Sequence, residues 1–95
     1  MRSYEIMFIV RPDLEEGKIK ETVIEVEKII KSNSIRVINS KDLGQKELAY
    51  TIEKHKTGYY HLFKVSGSVD GVKELDRLMR INENIIRFMI IKLEE

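Results

Sequence analysis

Cysteine is absent from this chain of 95 residues, and histidine occurs only twice. Without thiols there is no disulfide, no cysteine nucleophile and no cysteine-based zinc or iron–sulfur site. Neither His55 nor His61 has a nucleophile or a carboxylate pair at a spacing that would make it a catalytic base. We therefore expect no metal site, with His55 solvated in a hairpin loop and His61 a hydrogen-bonded histidine of the core.

A glycine-rich phosphate loop is missing as well. The glycines stand at turn and break positions rather than in a cluster that could cradle a phosphate. An acylphosphatase would need such a loop with an arginine after its first strand, whereas Arg11 is followed directly by Pro12. We expect no enzyme, no cofactor and no small-molecule substrate.

Long apolar runs and a strong excess of one charge are also lacking. The longest apolar runs, such as Ile6–Val10 and Phe88–Ile91, have four or five residues, and about 20 are needed to span a bilayer. The amino terminus lacks the apolar core of a signal peptide, so we expect a cytoplasmic protein with no membrane partner. The net charge of +1 is too small for an autonomous nucleic-acid binder, so any RNA binding should require help.

The first third of the chain has the hydrophobic pattern of a strand followed by that of a helix. Apolar residues alternate over Met1–Val10, which predicts a strand. Asp13 and Glu16 have the spacing of a capping pair at the start of a helix, and Asn33 is the residue expected to be left-handed at its end. The apolar stripe of this helix consists of Ile19, Val23, Val26 and Ile30.

The remainder of the chain alternates between extended segments and one more helix. The segment Ile35–Ile52 is too long for a simple strand, and Gly44 marks the expected bulge or kink. The other predicted elements are a hairpin loop over Glu53–Gly58, a strand over Tyr59–Ser66, a helix over Ser68–Arg80 capped by Ser68 or Asp70, and a strand over Ile85–Leu93.

The order strand, helix, strand, strand, helix, strand predicts the fold class. It is typical of the α+β, ferredoxin-like βαββαβ sandwich, in which a four-stranded antiparallel sheet carries two helices on one face. The length predicts a single domain over residues 1–95. This fold supports many functions, so the function has to be inferred from its surfaces.

The open face of the predicted sheet has an apolar surface. If Tyr4, Ile6 and Phe8 face the helices, the residues that alternate with them along the first strand face outward. The same alternation assigns outward-facing residues to the other central strand and to the last strand. This apolar patch consists of Met7, Ile9, Tyr60, Leu62, Met89 and Ile91. Because monomers seldom leave such a surface uncovered, it predicts a protein-binding site.

Two alternatives bear on this patch. Base stacking, as in an RNA recognition motif, needs aromatic residues on the central strands, and only Tyr60 qualifies there. A protein therefore suits the face better than a splayed nucleotide. The patch is also compatible with a non-catalytic, ferredoxin-like oligomerising or regulatory module that associates with itself through the same face.

Four motifs in order give the chain a family resemblance. They are MRSYE at positions 1–5, DLGQKELAYTI at 42–52, GYY at 58–60 and RINENIIR at 80–87. Together they resemble the bacterial small-subunit ribosomal protein six family over essentially the whole chain. The resemblance implies a ferredoxin-like structural protein of the small ribosomal subunit, cytoplasmic and ribosome-associated. It also implies binding of 16S ribosomal RNA jointly with small-subunit ribosomal protein eighteen during platform assembly.

With that family function, exposed cations become candidate RNA contacts. Arg2, Arg87 and Lys92 rank first because they lie on neighbouring strands of the predicted sheet. The second group consists of Arg36, Lys46 and Arg80.

Overall fold

The protein, described over residues 2–93 by a computed structural model, forms one four-stranded antiparallel sheet and two helices. Met1, the predicted start of the first strand, lies outside the described residues, as do residues 94–95. The elements are β1 Arg2–Val10, α1 Glu16–Ser32, β2 Arg36–Ile52, β3 His55–Gly67, α2 Val69–Arg80 and β4 Ile85–Lys92. The strand order β2-β3-β1-β4 confirms the ferredoxin-like topology, with β1 and β3 central.

The core lies between one face of the sheet and the two helices. Ile6 and Phe8 of β1 are fully buried, and Phe63 of β3 stands directly opposite Ile6. The rings of Phe8 and Phe63 stack with their centroids 5.9 Å apart. The helices cover them with Val26 and Ile30 of α1 and with Leu75 and Met79 of α2. The predicted inward faces of β1 and β3 are therefore confirmed, and each large side chain buried here contributes roughly 1.5–3 kcal/mol.

The predicted capping pair at the start of α1 is wrong. The Asp13 carboxylate accepts two hydrogen bonds from the Arg11 guanidinium, at 2.8 and 3.0 Å, instead of capping the helix. These bonds lower the pKa of Asp13 below its ordinary range. The helix begins at Glu16 after Glu15, whose side chain makes no capping bond. The Arg11 guanidinium engages both oxygens of the Asp13 carboxylate in a bidentate pair, which explains why Asp13 is diverted from the helix start.

The end of α1 also differs from the prediction. Asn33 has a φ of −99°, and the left-handed residue is Ser34, with a φ of 60°. The Ile35 amide donates to the Ile30 carbonyl and the Ser34 amide to the Lys31 carbonyl, at 3.2 Å each. This is the Schellman arrangement, which satisfies two helix-end carbonyls and places Ile35 in the core.

The hairpin between β2 and β3 is tighter than predicted. Glu53 and Lys54 form the turn with φ values of 47° and 70°, as in a type I′ turn, and His55 already pairs with Ile52. The predicted loop over Glu53–Gly58 is therefore mostly strand, and His55 lies half-buried at the start of β3. Gly44 lies at a bulge in the continuous strand β2, as predicted, with a φ of 77°. Since β1 ends opposite Tyr59, residues 46–58 of the β2–β3 hairpin extend beyond the end of β1, and we call them the arm.

His61 is the buried histidine that the sequence predicts. Its Nε2 lies 2.8 Å from the Ser40 hydroxyl, and its ring contacts Phe8 and Phe63. Burial lowers the pKa of His61 below its ordinary value of 6.5, against the opposing influence of the Asp42 and Glu27 carboxylates. His61 is therefore more readily protonated in the unfolded chain than in the folded one.

We expect Ser34→Gly to stabilise the protein by about 0.5–1 kcal/mol, because glycine adopts the left-handed conformation without steric cost. Chemical denaturation would measure the difference in the free energy of unfolding. Ser32→Gly is the matched control, since Ser32 belongs to the helix itself and the same replacement should destabilise there. Equal effects at the two positions would contradict the assignment of Ser34 as the left-handed terminator.

Stability should fall as the pH drops below about 6.5, because the lowered pKa of His61 makes the unfolded state bind the additional proton. Denaturation midpoints at about pH 7.5 and about pH 5.5 would show a loss that His61→Gln reduces. A pH profile that His61→Gln leaves unchanged would contradict the assignment to His61.

Candidate binding surface on the open face of the sheet

The face of the sheet turned away from the helices, here called the outer face, is ordered into rows by the strand register. Residues directly opposite one another in antiparallel strands project from the same face. From β2 to β4, the rows are Asn39, Lys64, Glu5 and Ile91; then Lys41, Leu62, Met7 and Met89; then Gly44, Tyr60, Ile9 and Arg87. All six residues of the predicted apolar patch therefore share this face and lie in adjacent rows.

Exposure within the apolar patch is uneven. Met89 and Ile91 are 43% and 46% exposed, while Met7, Tyr60 and Leu62 are half-buried. The prediction that Ile9 is exposed is wrong, since only 6% of it is accessible. The open part of the apolar patch is therefore the side nearer Ile91.

The arm explains the burial of Ile9. The pairing of β2 with β3 shifts between Glu47 and Ile52, and this part of the arm folds over the outer face. Between arm and sheet lies a cavity of about 180 Å³. It is lined by Met7, Ile9, Leu48, Ala49, Tyr50, Ile52, Tyr60, Arg87, Phe88 and Met89. Gly58 makes this approach possible, because a Cβ atom there would clash with Cγ2 of Ile9.

A contact between Tyr50 and Arg87 ties the arm to β4. The Arg87 guanidinium donates a hydrogen bond to the Tyr50 hydroxyl and lies 5.6 Å from the centre of the ring. Tyr50 nevertheless remains 59% exposed, so the contact lies at the surface. Tyr50 and Arg87 are 37 positions apart, so no local sequence pattern predicts their contact.

The six cations proposed from the sequence are all exposed, but they do not form one cluster. Lys92 stands opposite Tyr4, so Lys92 and Arg2 belong to the helix-facing side at one end of the sheet. Arg87 projects from the outer face, five residues back along β4, which is about 17 Å.

The other three proposed cations are divided between a helix and an edge strand. Arg80 is bonded to Asp76 at 2.6 Å and lies over the ring of Phe88. Arg36 and Lys46 stand on β2, opposite Ser66 and Gly58 respectively. An RNA-contacting role for any of the six remains a prediction.

Two other kinds of site find no support in the described part of the chain. Residues 2–93 contain no cluster of three or more histidine, aspartate or glutamate side chains that could hold a metal ion. Neither α1 nor α2 is long and apolar enough to cross a membrane.

Comparison with known proteins gives a consistent result. The family model described as ribosomal protein S6 matches residues 3–92. Small ribosomal subunit protein bS6 of Phytoplasma mali (strain AT) is 42% identical over 94 residues, covering 99% of this chain and 100% of that protein. The bS6 protein of Shouchella clausii (strain KSM-K16) is 38% identical over 95 residues, with complete coverage of both chains.

A solved structure agrees with these sequence matches. The crystal structure of 30S ribosomal protein S6 from Thermotoga maritima superposes with a TM-score of 0.93 at 28% identity. The match covers 97% of this chain and 87% of that one. The likeness therefore includes the sheet, both helices and the connections between them.

We expect Tyr50→Phe to loosen the arm, because it removes the acceptor of the Arg87 hydrogen bond and keeps the ring. At about 0.5–1.5 kcal/mol for such a bond, amide hydrogens of the arm should exchange roughly two to ten times faster. Tyr59→Phe is the control, since Tyr59 packs on the core side of β3. Unchanged exchange in the arm of the Tyr50→Phe variant would show that the contact does not hold it down.

Proposed function

Because this chain belongs to the bacterial ribosomal protein S6 family, we propose that it binds 16S ribosomal RNA jointly with small-subunit ribosomal protein eighteen during platform assembly. Family membership makes it a structural, non-enzymatic constituent of the small ribosomal subunit, located on ribosomes in the cytoplasm. RNA binding and participation in translation are general properties of this family. The joint mode of binding and the residues that carry it are the proposal.

The open part of the apolar patch is the observation that carries the proposal. Met7, Leu62 and Met89 lie side by side in one row, and Ile91 extends this surface into the next row. The arm covers the row of Ile9, whereas Met89 and Ile91 remain 43% and 46% exposed and Met7 and Leu62 are half-buried. A contiguous apolar surface on the helix-free side of a sheet favours a protein partner, since it lacks the aromatic platform that bases stack on.

Glu5 offers one contact on this surface to a basic residue of a partner, with Lys64 of β3 standing directly opposite it in the sheet. Glu5 lies on the outer face directly opposite Ile91, and it forms no ion pair with any residue in the range 2–93. A lysine or arginine of the partner protein would meet Glu5 as the apolar side chains are covered. This charge complementarity would orient the partner on the sheet.

The charge distribution explains why RNA binding should require that partner. Helix α1 carries four acidic and four basic residues and α2 carries three of each, so neither helix has a net charge. The whole chain has a net charge of only +1. Because affinity for RNA increases with the number of phosphates neutralised, a basic partner would supply cations that this chain lacks.

Within the proposed complex, the candidate RNA contacts fall into two sets. Arg2, Lys92, Arg36 and Lys46 have no ion pair in the described range and are free to meet phosphates. Arg87 and Arg80 would have to exchange their contacts with Tyr50 and Asp76 for contacts with RNA. The first set is therefore expected to contribute more to affinity.

Binding of a 16S platform-junction RNA fragment, measured at fixed salt, tests the proposal. We expect tight binding by this protein together with ribosomal protein eighteen and weak binding by this protein alone. Met89→Glu should weaken the joint complex at least about tenfold, because it places an unpaired charge in the covered surface.

Ile24→Glu is the matched control, since Ile24 of α1 is also exposed, at 54%, but lies on the other side of the protein. It should leave binding unchanged. Tight binding of RNA by this protein alone would contradict the proposed dependence on a partner. Concentration-dependent self-association that Met89→Glu abolishes, with no complex formed with ribosomal protein eighteen, would favour an oligomerising module instead.

A further inference from the structure

Two bulges in β2 determine which of its charged residues lie on the outer face. The register of β2 against β3 shifts between Val37 and Asn39 and again between Asp42 and Gly44. Each shift adds one residue to β2, so the alternation of side chains is inverted between the two bulges and restored after them. A strand without bulges would place Asp42 outward and Lys41 inward.

The observed register gives the opposite arrangement. Lys41 stands opposite Leu62 on the outer face, whereas Asp42 stands opposite His61 on the helix-facing side. Arg36 and Lys46, which lie before and after both bulges, face outward as well, opposite Ser66 and Gly58. The outward positions of β2 are therefore Arg36, Asn39, Lys41, Gly44 and Lys46, which include three cations and no carboxylate.

These cations are free of ion pairs, unlike many of those on the helices. Among the described residues, five of the six ion pairs lie within α1 or α2, and none includes an outward residue of β2. Lys18, Lys20 and Lys31 of α1 each contact a glutamate of the same helix. Three of the cations that have no ion pair within residues 2–93 thus lie in a line along one edge strand.

The position of β2 in the sheet places this line of charge beside the proposed protein-binding surface. β2 is an edge strand, so no further strand covers its outer border. Lys41 also lies in the same row as Leu62, Met7 and Met89. A partner protein covering the apolar side chains would leave the cations of β2 at the margin of the interface.

We propose that the outward side of β2 is a phosphate-binding edge, in which Arg36, Lys41 and Lys46 contact the RNA backbone beside the bound partner protein. This rests on the proposed joint binding of RNA and adds its location. The cations neutralise phosphates without reading base sequence, so their contribution depends on salt. Lys41 shares the outward side with Arg36 and Lys46 only because β2 contains both bulges.

The salt dependence of RNA binding by the joint complex with ribosomal protein eighteen tests this assignment. The double substitution Lys41→Gln and Lys46→Gln should reduce the slope of log K against log salt by about 1 per lysine. At about 0.1 M salt, the affinity should fall at least about tenfold. The control is Lys28→Gln with Lys73→Gln, which removes the same charge from exposed helix lysines that also lack ion pairs within residues 2–93.

A positional exchange separates location from total charge. Gln45→Lys combined with Lys46→Gln keeps the net charge and moves one cation to the helix-facing side, since Gln45 stands opposite Tyr59. It should lower the slope as much as Lys46→Gln alone, and circular dichroism would verify that both variants fold. A slope unchanged by the exchange and by the double substitution, while the wild-type complex binds tightly, overturns the phosphate-binding edge alone. Absence of binding by the wild-type complex overturns the proposed function with it.

Discussion

The uninterrupted pairing of β1 with β3 is the constraint on which the other features depend. It runs without a register shift from Arg2 opposite Gly67 to Val10 opposite Tyr59. Because side chains alternate, this pairing fixes in one step which residues enter the core and which form the outer face. A slip of one residue would move Ile6 and Phe8 outward and Met7 inward, so the core and the outer face are specified together.

The irregularities of the sheet lie where its two edge strands pair with the central strands. The pairing of β1 with β4 shifts once, between Ile9 and Val10, whereas β2, which has one neighbour, accepts three register shifts against β3. These shifts turn Lys41 outward, bring Asp42 beside His61 and release the part of the arm that covers Ile9. The β1–β3 pairing thus provides a regular platform, and the irregular positions of the surface lie where regular pairing is least required.

The sequence predicted those parts of the fold in which one-sided burial sets a clear period. The alternation in β1 and the apolar stripe of α1 were sufficient for the topology, because each must bury one face against the other. The helix ends were harder to predict from the sequence. Asp13 pairs with the charged Arg11 two residues away instead of capping the helix. Ser34 took the left-handed position because the Schellman bonds and the burial of Ile35 require it there, despite a side chain that disfavours it.

The apolar patch was predictable in composition and only partly in geometry. Alternation placed Met7, Leu62 and Met89 on one face, and the register agrees. It did not anticipate the contact of Tyr50 with Arg87 or the outward turn of Lys41, because both depend on how β2 pairs with or folds over distant strands. Such features follow from nonlocal packing and have no period that a linear pattern could reveal.

The close approach of the arm to the sheet also constrains how the sequence can change. Gly58 has no room for a side chain as long as residue 9 carries the Cγ2 methyl group of isoleucine. Alanine at position 58 is therefore compatible with the folded arm only after residue 9 has become smaller. The two positions are epistatic: a substitution that is harmful in one background is neutral in another. Substitutions at the two sites can accumulate in one order and not in the reverse.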